Sequence, residues 1–261
     1  MLLGKKNIIV LLLQMMILIG GVMYMVPAFS ENQESNIQQQ LGYLNQSKKL
    51  QGQLQLSHTT VFDLTLGEYT FDDLMNKFGK TKIFPISSGE EAPFAICYTS
   101  SHPLDDTIII FIAGPLGGWE KPTSFIIGTK NVLPSISDWM EKSASVIEKR
   151  AKSVLSSILT YCTKTPKISK AITTASGITL GITKNRLNDL LGNQPNYIFD
   201  ENIFAYRYYD MVKMTETQIE RMKKYWPKVE EDPHYEVASG IEVRFSERKL
   251  VWFLVYRMES Y

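Results

Sequence analysis

The chain has 261 residues, is 44% hydrophobic and carries a net charge of +1, which is apolar material enough for one large domain or two small ones. So even a charge balance excludes nucleic-acid binding as the main activity, because neutralising phosphates takes a basic face.

Residues 1–30 form a targeting segment. Lys5 and Lys6 precede the uncharged run NIIVLLLQMMILIGGVMYMV, and Ala28 and Ser30 offer a small-x-small cleavage site before Glu31. The run is longer than an ordinary signal core, so two outcomes stand: cleavage with release to the periplasm or exterior, or an uncleaved inner-membrane anchor through residues 8–26. No Cys follows the run to carry a lipid. Residues 31–60 read as a polar linker rich in Gln and Asn, with the folded part starting near Val61.

The expected fold class is α+β, with two tandem modules, 61–130 and 171–261. Each is a helix packed on its own antiparallel three-stranded sheet, and a linker helix within 131–170 joins them. In the first module Gly67 precedes Thr70, an N-cap for a helix with Asp72 and Asp73 in its first turn, and Gly79 stops it. The strands PFAICY, TIIIFI (Thr107–Ile112) and SFIIG (Ser124–Gly128) follow. Between the modules, Ile136, Met140, Ile147, Ala151, Val154 and Ile158 recur at helical spacing, a pattern for a helix lying across the first sheet.

The second module repeats the phrase. Gly181 precedes the cap Thr183, Leu187, Leu190 and Leu191 make the apolar face, and Gly192 with Pro195 ends it. IFAYRY, IEVRF and LVWFLVY supply its strands, with SERK as a short hairpin connection before the last. TETQIERMKKYW is an inserted helix opened by a Thr215–Gln218 capping box and closed by Pro227. In an exported chain the even pair Cys97 and Cys162 reads as a disulfide, with two buried free thiols as the alternative.

Gly181-x-Thr183, the helix ending Leu190-Leu191-Gly192, Pro195 three residues on, and the aromatic strand at Tyr206–Tyr208 resemble the SmpA/OmlA (BamE-like) family, whose fold is shared with β-lactamase inhibitor proteins. The resemblance covers Ile178–Tyr261 closely and Leu64–Gly128 loosely. It implies a two-module protein with the tandem arrangement of those inhibitors; the duplicated module and the export signal make an exported or outer-membrane protein the expected partner. The chain lacks the lipid-bearing Cys of that family.

Chemistry-bearing patterns are sparse. His58, His102 and His234 each stand alone, read as exposed loop residues, and have no metal-ligand spacing. His102 has Ser100, Ser101, Asp105 and Asp106 nearby, which suits a turn around Pro103 better than a triad. The glycines of AGPLGGW fit a hairpin loop, with Trp119 at its tip, rather than a phosphate cradle. Glu90–Glu91, Asp105–Asp106 and Glu230–Asp232 read as solvated charge. No catalytic residue, metal or cofactor is assigned. The expected function is a non-catalytic envelope protein holding another protein, with Trp119, Tyr206, Tyr208, Trp226 and Tyr235 as candidate contacts. An exported hydrolase with a loop-borne site near His102 is the alternative.

Overall fold

The computed structural model describes residues 50–86, 93–114, 120–132, 159–199 and 201–260. The chain enters as β1 (Leu50–Gln51), turns through α1 (Leu56–Thr59), and makes the small hairpin β2 (Thr60–Val61) and β3 (Leu64–Thr65). Next come α2 (Phe71–Phe78), β4 (Phe84–Pro85), and the meander β5 (Phe94–Ser100), β6 (Thr107–Ala113) and β7 (Ser124–Thr129). After β8 (Thr163–Thr165) and α3 (Lys184–Leu191) come β9 (Tyr197–Ile198), β10 (Ile203–Lys213), α4 (Glu216–Met222), β11 (His234–Ser246) and β12 (Lys249–Ser260).

Two separate three-stranded sheets are not what these strands build. They form one ten-stranded mixed sheet in the order β1-β10-β11-β12-β7-β6-β5-β4, with β9 beside β10 and β8 beside β5. The two meanders are present, but their last strands pair antiparallel, Trp252 opposite Gly128 through Tyr256 opposite Ser124. The physical reason lies in β7 and β12 themselves. Phe125 and Ile127 point to one face and Ile126 to the other; Phe253 and Val255 likewise alternate with Trp252 and Leu254. Strands apolar on both faces belong inside a sheet, because an edge would leave one row of backbone groups and much apolar surface unpaired. Gly128 permits the seam, since a Cβ there would stand 2.9 Å from that of Trp252.

One face of the sheet is covered by helices. Leu74 and Phe78 of α2 and Leu187 and Leu191 of α3 share a single core with Tyr98, Phe111, Phe125, Phe253, Ile241 and Tyr206. The capping expectations hold. The Thr70 hydroxyl accepts from the Asp73 N–H while the Asp73 carboxylate accepts from the Thr70 N–H, and the Thr183 hydroxyl accepts from the Arg186 N–H. Gly79 and Gly192 stop their helices at positive φ, and Thr215 and Gln218 close the box on α4. The repeated glycines make matching bonds. Gly67 and Gly181, both at positive φ, donate to Pro122 O ahead of β7 and to Leu250 O in β12.

Two stretches differ from expectation. Residues from Leu50, read as part of the polar linker, belong to the fold: β1 pairs parallel with β10, and Leu54, His58 and Thr59 are buried. The expected linker helix and the cleavage site and apolar run of the N-terminus lie outside the described residues, apart from Leu159 at the helix's end. Among the described residues no helix is long and apolar enough to cross a membrane. Cys97 and Cys162 form a disulfide with their Cα atoms 4.6 Å apart. It fastens the chain ahead of β8 to the sheet face opposite the helices, where Cys97 sits with Ile108, Ile110, Ile126 and Trp252.

Candidate binding face

Residues opposite one another in an antiparallel sheet share a face, so the register fixes what the non-helical face presents. Across β10, β11 and β12 its rows are Ala205, Glu242 and Leu254; Arg207, Gly240 and Tyr256; Tyr209, Ala238 and Met258; and Met211, Glu236 and Ser260. The middle strand carries small residues in two of these rows: the Tyr256 phenol lies across Gly240, and beside it Ala238, between Tyr209 and Met258, leaves a shallow trough on β11. Arg207, Tyr209 and Met211 stand on its β10 side and Met258 on its β12 side, and the Tyr256 phenol closes it at Gly240. Met211 is 61% exposed and Met258 36%, whereas Arg207, Tyr209 and Tyr256 are half-buried. Gly240 is required here, for a Cβ would lie 2.6 Å from the Tyr256 hydroxyl and 2.7 Å from the Tyr206 carbonyl.

The trough closes on a buried ion pair. Arg207 donates from Nη2 to Glu242 Oε1 at 3.0 Å, with the Glu242 side chain 5% exposed. Arg207 is fixed from both ends. The Asn196 side chain accepts from its N–H and donates to its carbonyl, replacing a strand neighbour. The guanidinium lies 4.5 Å from the Tyr197 ring and 5.3 Å from the Phe199 ring. Stacking and a planar fork make Arg the suitable cation for such a site. Burial raises the Glu242 carboxyl, the Arg207 charge and hydrogen bond pull it back, and the balance leaves it pushed up to about 7. The Tyr256 phenol is raised too, first by burial and then by the Glu242 charge. Glu242 Oε2 and Arg207 Nε are buried without a hydrogen-bond partner, a combination that makes the pair costly to disturb.

The sequence-predicted contacts fare differently. Tyr206 and Tyr208 are core: they share the face of Phe204, toward α3, with Tyr206 donating to Asn188 Oδ1 and Tyr208 accepting from Asn193. Tyr235 is buried at the far end of β11, in a cluster with Met214, Val229 and Val237, against which a half-buried Trp226 packs. Trp119 lies outside the described residues. The exposed aromatic of the α4 region is instead Tyr225, 75% exposed. Of the half-exposed residues that do gather, Arg207 and Tyr209 stand one strand position from Tyr206 and Tyr208, and Tyr256 lies across β11 on β12. The signal available was the alternation of β10, which runs on through Met211 to Lys213.

The histidines make turns. His102 Nδ1 accepts from the Leu104 N–H, and Ser100 Oγ accepts from the His102 N–H. Burial raises the Asp105 carboxyl, but hydrogen bonds from Thr107 and from the Lys170 N–H, with the Lys170 charge, hold it below its ordinary value. None of these bonds links the His102 ring to a carboxylate. His58 is not exposed but 3% accessible, its Nδ1 2.6 Å from Ser176 Oγ, which in turn meets Thr174 Oγ1. With the Ser176 N–H bonded to the Ser57 carbonyl, the network pins the 174–177 turn onto α1. His234 pairs with Asp232 on the surface. Among the described residues no group of three or more His, Cys, Asp or Glu could hold a metal ion.

In comparisons with known proteins, the chain matches no protein-family model, no curated protein and no solved structure.

Proposed function

We propose that the chain is an exported, non-catalytic envelope protein that holds another protein against the trough along β11. The observation that carries this is the make-up of the non-helical face there: Tyr, Arg and Met side chains, partly exposed, around the small Ala238. Those three residue types are the ones enriched at the centres of protein interfaces. A fixed guanidinium and two half-buried tyrosines lose little side-chain freedom on binding, which favours affinity.

Export rests on the Lys-flanked apolar run, released or retained as an inner-membrane anchor, and is supported by the disulfide, which fits an oxidising compartment. The resemblance of Ile178–Tyr261 to the SmpA/OmlA family favours an exported or outer-membrane protein as the partner. The test is co-purification from cells with the tagged chain and with a Tyr209→Ser/Met211→Ser/Met258→Ser variant. A specific protein that comes down with the wild type and is lost from the folded variant supports the proposal. Equal recovery with both contradicts it.

A further inference from the structure

We infer that the outer edge of β5, at the opposite end of the sheet from the trough, rests on an anionic membrane surface. This edge is lined end to end by two short strands, β4 beside Phe94 and Ala95 and β8 beside Tyr98 to Ser100. The segments that carry them meet. Thr163 donates to Thr81 Oγ1 at 2.9 Å, and Lys167 donates to the Lys77 carbonyl. The Tyr161 and Phe84 rings lie 5.4 Å apart, with Lys82 over Tyr161 at 4.7 Å.

Both segments are free of acid over long runs. Among the described residues, Leu74 to Ile86 carries three lysines and no Asp or Glu, and Leu159 to Asn188 carries Lys and Arg but no Asp or Glu. Folding therefore concentrates charge that the near-neutral composition conceals. Lys80, Lys82, Lys164 and Lys167 are all exposed on this edge. Asp105, in the β5–β6 loop, has its oxygens occupied by the Thr107 and Lys170 backbone N–H groups; Glu90 and Glu91, between β4 and β5, lie outside the described residues.

The kind of partner follows from what stands among the lysines. Ile83 is 42% exposed and Tyr161 51%, an aliphatic and an aromatic side chain presented to solvent beside cations. Nucleic acid would be met by charge and stacking, and an acidic protein by paired charges. A bilayer surface takes all three at once: lysines at the headgroups, with Tyr and Ile at the acyl boundary. The apolar run at residues 8–26, if uncleaved, would hold the domain beside such a surface. The inference does not depend on the trough, which lies at the other end of the sheet.

The full chain, added to vesicles of one part phosphatidylserine to two parts phosphatidylcholine, is followed by hydrogen–deuterium exchange, with pure phosphatidylcholine vesicles as reference. The expected result is protection of the peptides spanning 79–86 and 160–168 with anionic vesicles alone, abolished by high salt. A Lys80→Gln/Lys82→Gln/Lys164→Gln/Lys167→Gln variant with unchanged melting should lose roughly a hundredfold of its preference for anionic over neutral vesicles, taking each lysine as about fivefold and allowing for screening. Because the N-terminal run is the same in both proteins, its own insertion cancels. Protection that is equal with both vesicle types, that lies elsewhere, or that survives in the variant overturns the inference. So does equal protection by soluble pyrophosphate, which would mark a phosphate site rather than a membrane surface.

Discussion

Removing the Cys97–Cys162 bond should be the most damaging small change to this protein. The two residues are 65 apart in sequence, and the chain-entropy model assigns a loop of that length about 4 kcal/mol of stabilisation. Cys97 is fully buried in the apolar layer with Ile108, Ile110 and Trp252, so alanine there adds about 1 kcal/mol of lost packing. In a domain of this size each kcal/mol shifts Tm by about 2–4 °C. The Cys97→Ala/Cys162→Ala protein should therefore melt roughly 10–20 °C below the wild type, and only the wild type should respond to reductant. Circular-dichroism melts of both proteins, each with and without reductant, make the measurement. A wild type indifferent to reductant, melting within about 2 °C of the double variant, would refute the reasoning, since the cross-link would then be absent or would not restrict the unfolded chain.

Glu242 gives a pH signature. Its carboxyl ionises near 4.5 when unfolded and near 7 when folded, so the folded state holds an extra proton between these values. Stability is therefore greatest below the lower value and falls as pH rises through the upper one, by an amount on the order of 3 kcal/mol. Urea titrations at about pH 5 and about pH 8 should show this loss in the wild type and a much flatter response in Glu242→Gln; parallel responses would contradict it. Gly240→Ala forces a Cβ against the Tyr256 hydroxyl and the Tyr206 carbonyl, and should cost about 1–3 kcal/mol in a denaturant midpoint while weakening partner capture. The β11–β12 turn holds Glu247 at φ 49 and Arg248 at φ 63. Glu247→Asn/Arg248→Gly should relieve this and raise stability by about 1 kcal/mol, read as a Tm gain of a few degrees.

What the sequence made legible was local. Thr70, Thr183 and Thr215 cap their helices because a hydroxyl reaches an N–H three residues on, whatever surrounds it, and Gly79 and Gly192 stop theirs through φ alone. The repeated phrase was visible for the same reason, down to the paired bonds of Gly67 and Gly181. The union of the meanders into one sheet was missed because β7 and β12 are far apart in sequence. Its trace was there, in strands apolar on both faces. Tyr206 and Tyr208 read as contacts in the sequence because alternation shows which residues share a face but not which face is covered. That is settled by Leu187 and Leu191 arriving from α3. The Arg207–Glu242 pair was illegible for a similar cause: a charged residue in a strand reads as solvent-facing until its partner across the sheet is known. His58 was misread as a loop residue because nothing nearby in sequence announces Ser176 as its neighbour.

The central claim, that the trough along β11 is where another protein is held, is tested most directly by photo-crosslinking in intact cells. A photoreactive amino acid placed at Met211 and, in a second strain, at Met258 reports on the two walls of the trough; at Glu247, on the exposed turn between β11 and β12, it serves as control. The account predicts one adduct of the same size from both walls and none from the turn, lost when Gly240→Ala is added. Adducts absent from both walls, or formed equally from the turn, would contradict it.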